Sequence, residues 1–216
     1  MSSSQTQGLQ AVAQPAQPAR DLALIAVFAG VTAALGLIPP LYLPISPVPI
    51  TAQSLGPILA GAVLGARRGF ASQVLLLTLV ALGLPLLAGG RGGLGPFFGP
   101  TVGFLIGWPI VAGLIGWATN RFIGAPYIVW RGVVINMIGG MLALYAIGIP
   151  GMILIAKLGL VPAIAANVPY LIGDTIKCVI AALVAKGVHA AVPGMLRQRG
   201  QRLASAAMRD DHQADQ

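Results

Sequence analysis

The stretch "VPYLIGDTIKCVIAAL", residues 168–183, decides the fold. It is an apolar run of helical length with Asp174 and Lys177 set inside it. The chain has five acidic residues, all Asp, and only Asp174 falls within an apolar segment. Ionised side chains are expensive inside a bilayer, so this pair needs a reason to be there.

The rest of the chain has the same apolar character. Of its 216 residues, 56% are hydrophobic and 8% charged, and the mean hydropathy is +0.86. A chain this apolar cannot cover itself with polar surface, which makes it an integral membrane protein. Six apolar segments run over 22–38, 51–66, 70–87, 101–118, 133–155 and 168–192. Crossing the hydrocarbon takes about 20 helical residues, so the second segment is short unless its flanks complete it. The runs are continuously apolar, where a barrel strand would alternate. The expectation is therefore an all-α membrane protein with six transmembrane helices over residues 21–193. A Ser/Gln/Ala/Pro-rich N-terminal tail, read as disordered, covers 1–20, and a basic tail covers 194–216. The size suits one compact bundle with no second soluble domain. A single cysteine, Cys178, excludes an internal disulfide, and with two His and no Glu no metal site is expected.

The net charge of +8 reads as membrane topology rather than nucleic-acid binding. Arg20, Arg67, Arg68, Arg121, Arg131, Lys186, Arg197, Arg199, Arg202 and Arg209 fall on one side of the predicted spans. Only Arg91 and Lys157 fall on the other. Positive residues collect on the cytoplasmic side, so both termini are expected there.

The outward ends of the odd helices read "LGLIPP" (35–40), "LGLPLL" (82–87) and "IGIPGM" (147–152). Each sets a Gly and then a Pro where a helix would stop, either as simple termination or as an internal repeat. Loop 1 and the start of span 2 read "LPISPVPITAQSLGP", with Thr51 and Gln53 beside the membrane. Loop 3 reads "AGGRGGLGPFFGPTVGF", where Gly89 and Gly90 flank Arg91 and aromatic residues interleave with the glycines. It is either a flexible linker or a packed cap; no GxxxxGK[ST] phosphate loop occurs anywhere in the chain.

With this topology span 6 runs inward, and Asp174 and Lys177 lie about 6–12 Å below the outer surface. Three residues apart, they share a helix face. Either they form an ion pair that orders the bundle, or they line an outward cavity with Thr51, Gln53, Arg91 and Tyr170. The convergence of these residues on one side favours a site for a small polar or anionic solute. Asn136 in span 5 reads as an interhelical hydrogen bond, and Trp108, Trp117 and Trp130 as interfacial anchors. Ala29 and Ala33, four apart in "AGVTA", form a small-residue face on span 1 that suits a close helix, within this chain or from a partner.

Three motifs together, "SPVPITAQSLGPILAGAVLGARRG", "GLPLLAGGRGGLGPFFGPTVGFLIGWP" and "PYLIGDTIK", resemble the BioY family, the biotin-specific substrate-binding (S) components of energy-coupling factor (ECF) transporters. The resemblance implies the ECF S-component fold, with six transmembrane helices and an outward vitamin site closed by loops 1, 3 and 5. It implies that the Gly89–Gly99 segment caps biotin and that Asp174 and Lys177 are polar contacts. Thr51 and Gln53 lie in the family's loop 1 signature. Ala29 and Ala33 match the motif through which S components meet the transmembrane T subunit.

The expected function is therefore high-affinity biotin binding in a vitamin importer of the bacterial cytoplasmic membrane, together with a T subunit and two ABC-type ATPases. Biotin would be the cargo, and no cofactor is expected. A stand-alone secondary carrier for biotin or another small anionic vitamin is the alternative, with Asp174 as its one plausible proton acceptor. An enzyme is not expected, because no second carboxylate, His or activated nucleophile accompanies Asp174.

Overall fold

The computed structural model describes residues 17–192, all helical apart from loops and two isolated bridges, Leu41 with Ile50 and Leu87 with Arg91. The helices are α1 (Gln17–Leu35), α2 (Leu55–Leu64), α3 (Ala66–Ala81), α4 (Val102–Ala118), α5 (Val129–Met137), α6 (Leu144–Ala156), α7 (Leu160–Ala165) and α8 (Tyr170–Ala191). A wide π turn over Ile138–Ala143 joins α5 to α6 as one long pass, and another over Thr119–Ile123 extends α4. The six apolar segments thus fold as six helical passes, and α7 is an unforeseen short helix in the loop before α8. Three passes are long and apolar enough on their own to cross a membrane: Pro18–Leu35, Val102–Ile123 and Val129–Ala156.

The outer faces identify the surrounding solvent. Val27, Ile106, Leu142 and Ile172 stand 57%, 52%, 66% and 76% exposed at mid-helix or on lateral faces. Water would not tolerate such a surface, whereas lipid is its natural complement. The polar side chains turn inward instead, with Thr32, Ser72, Gln73 and Asn136 buried. Asn136 donates to the Cys178 carbonyl at 3.0 Å, the expected interhelical bond.

The short second pass is the centre of the bundle. Between Gly56 and Leu64 only Leu59 of α2 is not buried, and α1, α3, α4 and α8 all pack around it. It meets little lipid and does not need full spanning length; the 3-10 turn Ala52–Ser54 leads into it. At Gly65, whose φ of 81° suits a residue without Cβ, the chain turns directly into α3.

Several expectations are corrected. Helix α1 begins at Gln17, inside the stretch expected as tail, because Pro18 sits in the first turn where its missing N–H is not needed. Residues 1–16 and 193–216, with Arg197, Arg199, Arg202 and Arg209, lie outside the described residues. The third Gly-Pro sequence does not end a helix. α6 runs through Pro150 to Ala156, held against α4 where backbone meets backbone. A Cβ on Gly103 would lie 2.7 Å from the Ile147 carbonyl oxygen, and one on Gly151 would lie 2.7 Å from the Gly103 Cα. Such close approach rewards glycine at a membrane helix interface. Ala29 is buried in the core and Ala33 packs against it, so the small-residue face of α1 meets this chain's own core. The small residues that α1 leaves exposed are Ala19, Ala23, Ala26, Gly30 and Ala34.

Candidate functional site

A cavity opens at the outer end of the bundle, between loops 1 and 3, the outer halves of α4 and α8, and the start of α6. The space between its atoms, counted out to its open mouth, is about 620 Å³. Its walls are apolar: Val48 and Ile50 from loop 1, Leu87 from loop 3, Phe104, Leu105 and Trp108 from α4, and Leu144 from α6. Trp108 is 6% exposed, so it is a cavity wall and not the interfacial anchor expected from its sequence position. Trp117 and Trp130, by contrast, are 56% and 64% exposed.

A polar cluster sits among these walls. The Lys177 ammonium donates to Asp174 Oδ1 at 2.8 Å and to the Ser54 hydroxyl at 2.9 Å. The Tyr145 hydroxyl donates to Asp174 Oδ2 at 2.6 Å. Both charged side chains are largely covered, at 9% exposure for Asp174 and 13% for Lys177. The ion pair and its two hydroxyl partners offset the desolvation each charge suffers, yet they do not saturate either group. Each Asp174 oxygen retains acceptor capacity, and Lys177 retains one of its three donors.

Arg91 is placed by a tight hairpin. Leu87 and Arg91 exchange backbone hydrogen bonds of 3.0 and 3.1 Å, and Gly89 and Gly90 form the tip at φ 79° and 70°. Two successive left-handed residues would strain any side chain with a Cβ, which explains the paired glycines. Arg91 Nε donates to the Ala88 carbonyl at 3.1 Å, and its terminal amino groups have no protein partner among the described residues. Gly89 and Gly90 themselves do not line the cavity. They form the turn that presents Arg91 and line a separate surface groove beside the outer end of α1.

Gln53 lines the cavity but spends its amide elsewhere. Its Nε2 donates to the Thr32 carbonyl at 3.1 Å and the Leu86 carbonyl at 2.7 Å, and its Oε1 accepts from the Ala88 N–H at 2.9 Å. One side chain thereby ties α1 and loop 3 to the start of α2 and fixes the root of the Arg91 hairpin. Tyr170 plays a similar part, its hydroxyl donating to the Val48 carbonyl and sharing a second hydrogen bond with the Ser46 hydroxyl in loop 1. Thr51 lines the cavity, and its hydroxyl has no partner among the described residues.

Six of the residues expected in a site, Thr51, Gln53, Arg91, Tyr170, Asp174 and Lys177, therefore converge on one cavity. Loop 5, residues 157–169, contributes no lining residue to it. Sequence reasoning missed Tyr145, Ser54 and the α4 wall. Ser54 lay within the quoted loop 1 motif, but Tyr145 gave no signal beyond being a lone hydroxyl in an apolar run. The described residues contain no group of three His, Cys, Asp or Glu that could hold a metal ion.

The sequence profile of the BioY family matches residues 4–194. The chain is 47% identical to the biotin transporter BioY of Rhizobium etli, over 81% of this chain and 95% of that one. It is 44% identical to the biotin transporter BioY of Rhodobacter capsulatus, over 84% and 99% of the two chains. A crystal structure of the S-component for biotin from an ECF-type ABC transporter superposes with a TM-score of 0.77 at 27% identity, covering 81% of this chain and 93% of that one.

Proposed function

This chain belongs to the BioY family, and from that membership we propose that it is the biotin-binding S component of an ECF-type vitamin importer. The observation that carries the reading is the Tyr145–Asp174–Lys177–Ser54 cluster set into an otherwise apolar cavity. Biotin has that polarity pattern: a ureido group with N–H donors and a carbonyl acceptor, an apolar fused ring, and a carboxylate on a flexible chain.

Charge decides the orientation. The Asp174–Lys177 pair is neutral as a unit, so it suits the uncharged ureido group and would set Asp174 against a carboxylate. Asp174 accepts ureido N–H, and the remaining Lys177 donor reaches the ureido carbonyl. Phe104, Leu105 and Trp108 cover the ring system. Arg91, the cation in the lining without an acidic partner, takes the carboxylate near the mouth.

The bilayer is the bacterial cytoplasmic membrane, with the cavity facing out and both termini in the cytoplasm, as the Lys and Arg distribution supports. The chain has no nucleotide-binding motif, so energy comes from partners, a T subunit and two ABC-type ATPases. The exposed small residues Ala26, Gly30 and Ala34 of α1 leave room for a partner helix; a Cβ on Gly30 would meet nothing within 4 Å. A secondary carrier is the weaker reading, because the Asp174 carboxylate is already committed to Lys177 and Tyr145.

Titration of the purified chain with biotin, followed by Trp108 fluorescence and calorimetry, tests the reading. Biotin binds tightly, its methyl ester more weakly, and Arg91→Gln narrows the gap between them. Absence of biotin binding by folded protein overturns the assignment. Uptake in cells that survives loss of ATP but fails when the proton gradient collapses would favour the carrier instead.

A further inference from the structure

The inner ends of α5 and α8 enclose a second groove, remote from the biotin cavity. It measures about 1,210 Å³ counted out to its open side and is lined by residues that include Tyr127, Trp130, Val133, Val134 and Lys186. Trp130 and Val134 lie one turn apart on α5 and are 64% and 46% exposed, so the groove follows the helix. Lys186 is exposed at its edge and has no hydrogen-bond or ion-pair partner among the described residues. The Arg131 guanidinium lies 5.3 Å from the centre of the Trp130 ring.

Depth gives the groove its meaning. Lys186 is sixteen residues beyond Tyr170 on α8, hence about 24 Å further along the helix. The hydrocarbon core is about 30 Å thick, so Lys186 comes within a turn or so of its inner boundary. A lysine at that level extends its ammonium toward the headgroups while its stem stays on apolar surface. Trp130, on the neighbouring helix, has the amphipathic ring that prefers this same layer.

We infer that this groove binds one anionic phospholipid of the inner leaflet. An acyl chain follows Val133 and Val134, the phosphate meets the Lys186 ammonium, and Arg131 and Trp130 border the headgroup. A free phosphate would leave the apolar length of the groove unused. A zwitterionic lipid would gain less, because no acidic residue lines the groove to receive its cationic end.

The test uses the full chain reconstituted in bilayers with acyl-brominated phosphatidylglycerol or phosphatidylcholine at equal mole fraction. Quenching at the groove is the difference between wild type and Trp130→Phe. One lysine near an anionic surface predicts roughly five-fold stronger quenching by the glycerol lipid. That preference falls to parity in Lys186→Gln and returns in Lys186→Arg, while biotin affinity, which does not involve Lys186, stays unchanged. Parity in wild type overturns the proposal. So does a preference that persists in Lys186→Gln, which would assign it to the general basic surface. Absence of quenching by either lipid also overturns it, since a protein would then cover the groove.

Discussion

Gln53 is the residue whose replacement most sharply separates holding the cavity shut from touching the ligand. Its amide makes three hydrogen bonds, to Thr32 in α1 and to Leu86 and Ala88 in loop 3. Neutral hydrogen bonds net about 0.5–1.5 kcal/mol each in soluble proteins and average nearer 0.6 kcal/mol between membrane helices. Only the bonds to Leu86 and Ala88 hold loop 3, and together they are worth about 1–3 kcal/mol, while the bond to Thr32 ties α1 to α2. Gln53→Ala lowers the ratio of seated to released loop by about 5- to 150-fold. Part of that change is absorbed while the seated form remains the majority, so the apparent biotin affinity falls by a few-fold to about ten-fold. The loss appears mainly in the dissociation rate, because the loop releases a ligand already bound. Gln53→Glu is no better: it can still accept from Ala88, but it turns an acceptor toward the Thr32 and Leu86 carbonyls. Calorimetry gives the affinity, stopped-flow fluorescence the rate, and hydrogen exchange at the Ala88 amide the state of the loop. Wild-type affinity in Gln53→Ala, with the Ala88 amide still protected, would refute the clamp.

Further outcomes follow from other contacts. Tyr145→Phe removes a charge-assisted bond to Asp174 that the ligand-free chain already makes, so it costs about 1.5–3 kcal/mol of stability, read as a lower melting temperature. Asn136→Leu breaks the link to the Cys178 carbonyl and costs about 0.6–1.7 kcal/mol of stability, seen in thermal unfolding with biotin affinity intact. Gly116→Val drives its side chain into the Gly65 and Ala66 backbone, and the overpacking costs about 1–3 kcal/mol. Its melting temperature falls, and unchanged stability would contradict the close approach of α4 to the α2–α3 junction.

The number and order of the passes were legible because each is a continuous apolar run, and the charges oriented them. Which face of a pass turns inward was less legible. α1 is apolar or small almost all round, so its sequence gives no directional signal; Ala29 and Ala33 point in while Ala26 and Gly30 point out. Thr32 marks the inner face, since a buried hydroxyl bonded to the Phe28 carbonyl belongs beside other protein rather than lipid. Asp174 and Lys177 announced the cavity because ionised groups in an apolar run have few structural excuses. Tyr145 stayed hidden because it lies 29 positions from Asp174, and only the packing of α5 and the Ile138–Ala143 turn against α8 brings it within reach. Gly89 and Gly90 were rightly tied to loop 3, but their sequence could not tell a capping contact from the turn that aims Arg91. Trp108 was misread because tryptophan in an apolar span serves equally well as lipid anchor or pocket wall.

The central claim is that the Asp174–Lys177 pair recognises biotin rather than merely ordering the bundle. It is tested most directly by equilibrium biotin binding to wild type, Asp174→Asn, Lys177→Met and the double variant, each purified and monodisperse. Removing one member of the pair strands the other, so each single variant is expected to lose on the order of 2–5 kcal/mol of binding free energy. The double variant, although freed of the stranded charge, should not recover affinity, because the ureido group still lacks its partners. Wild-type affinity in the double variant would contradict the account and move recognition to Thr51 and Arg91.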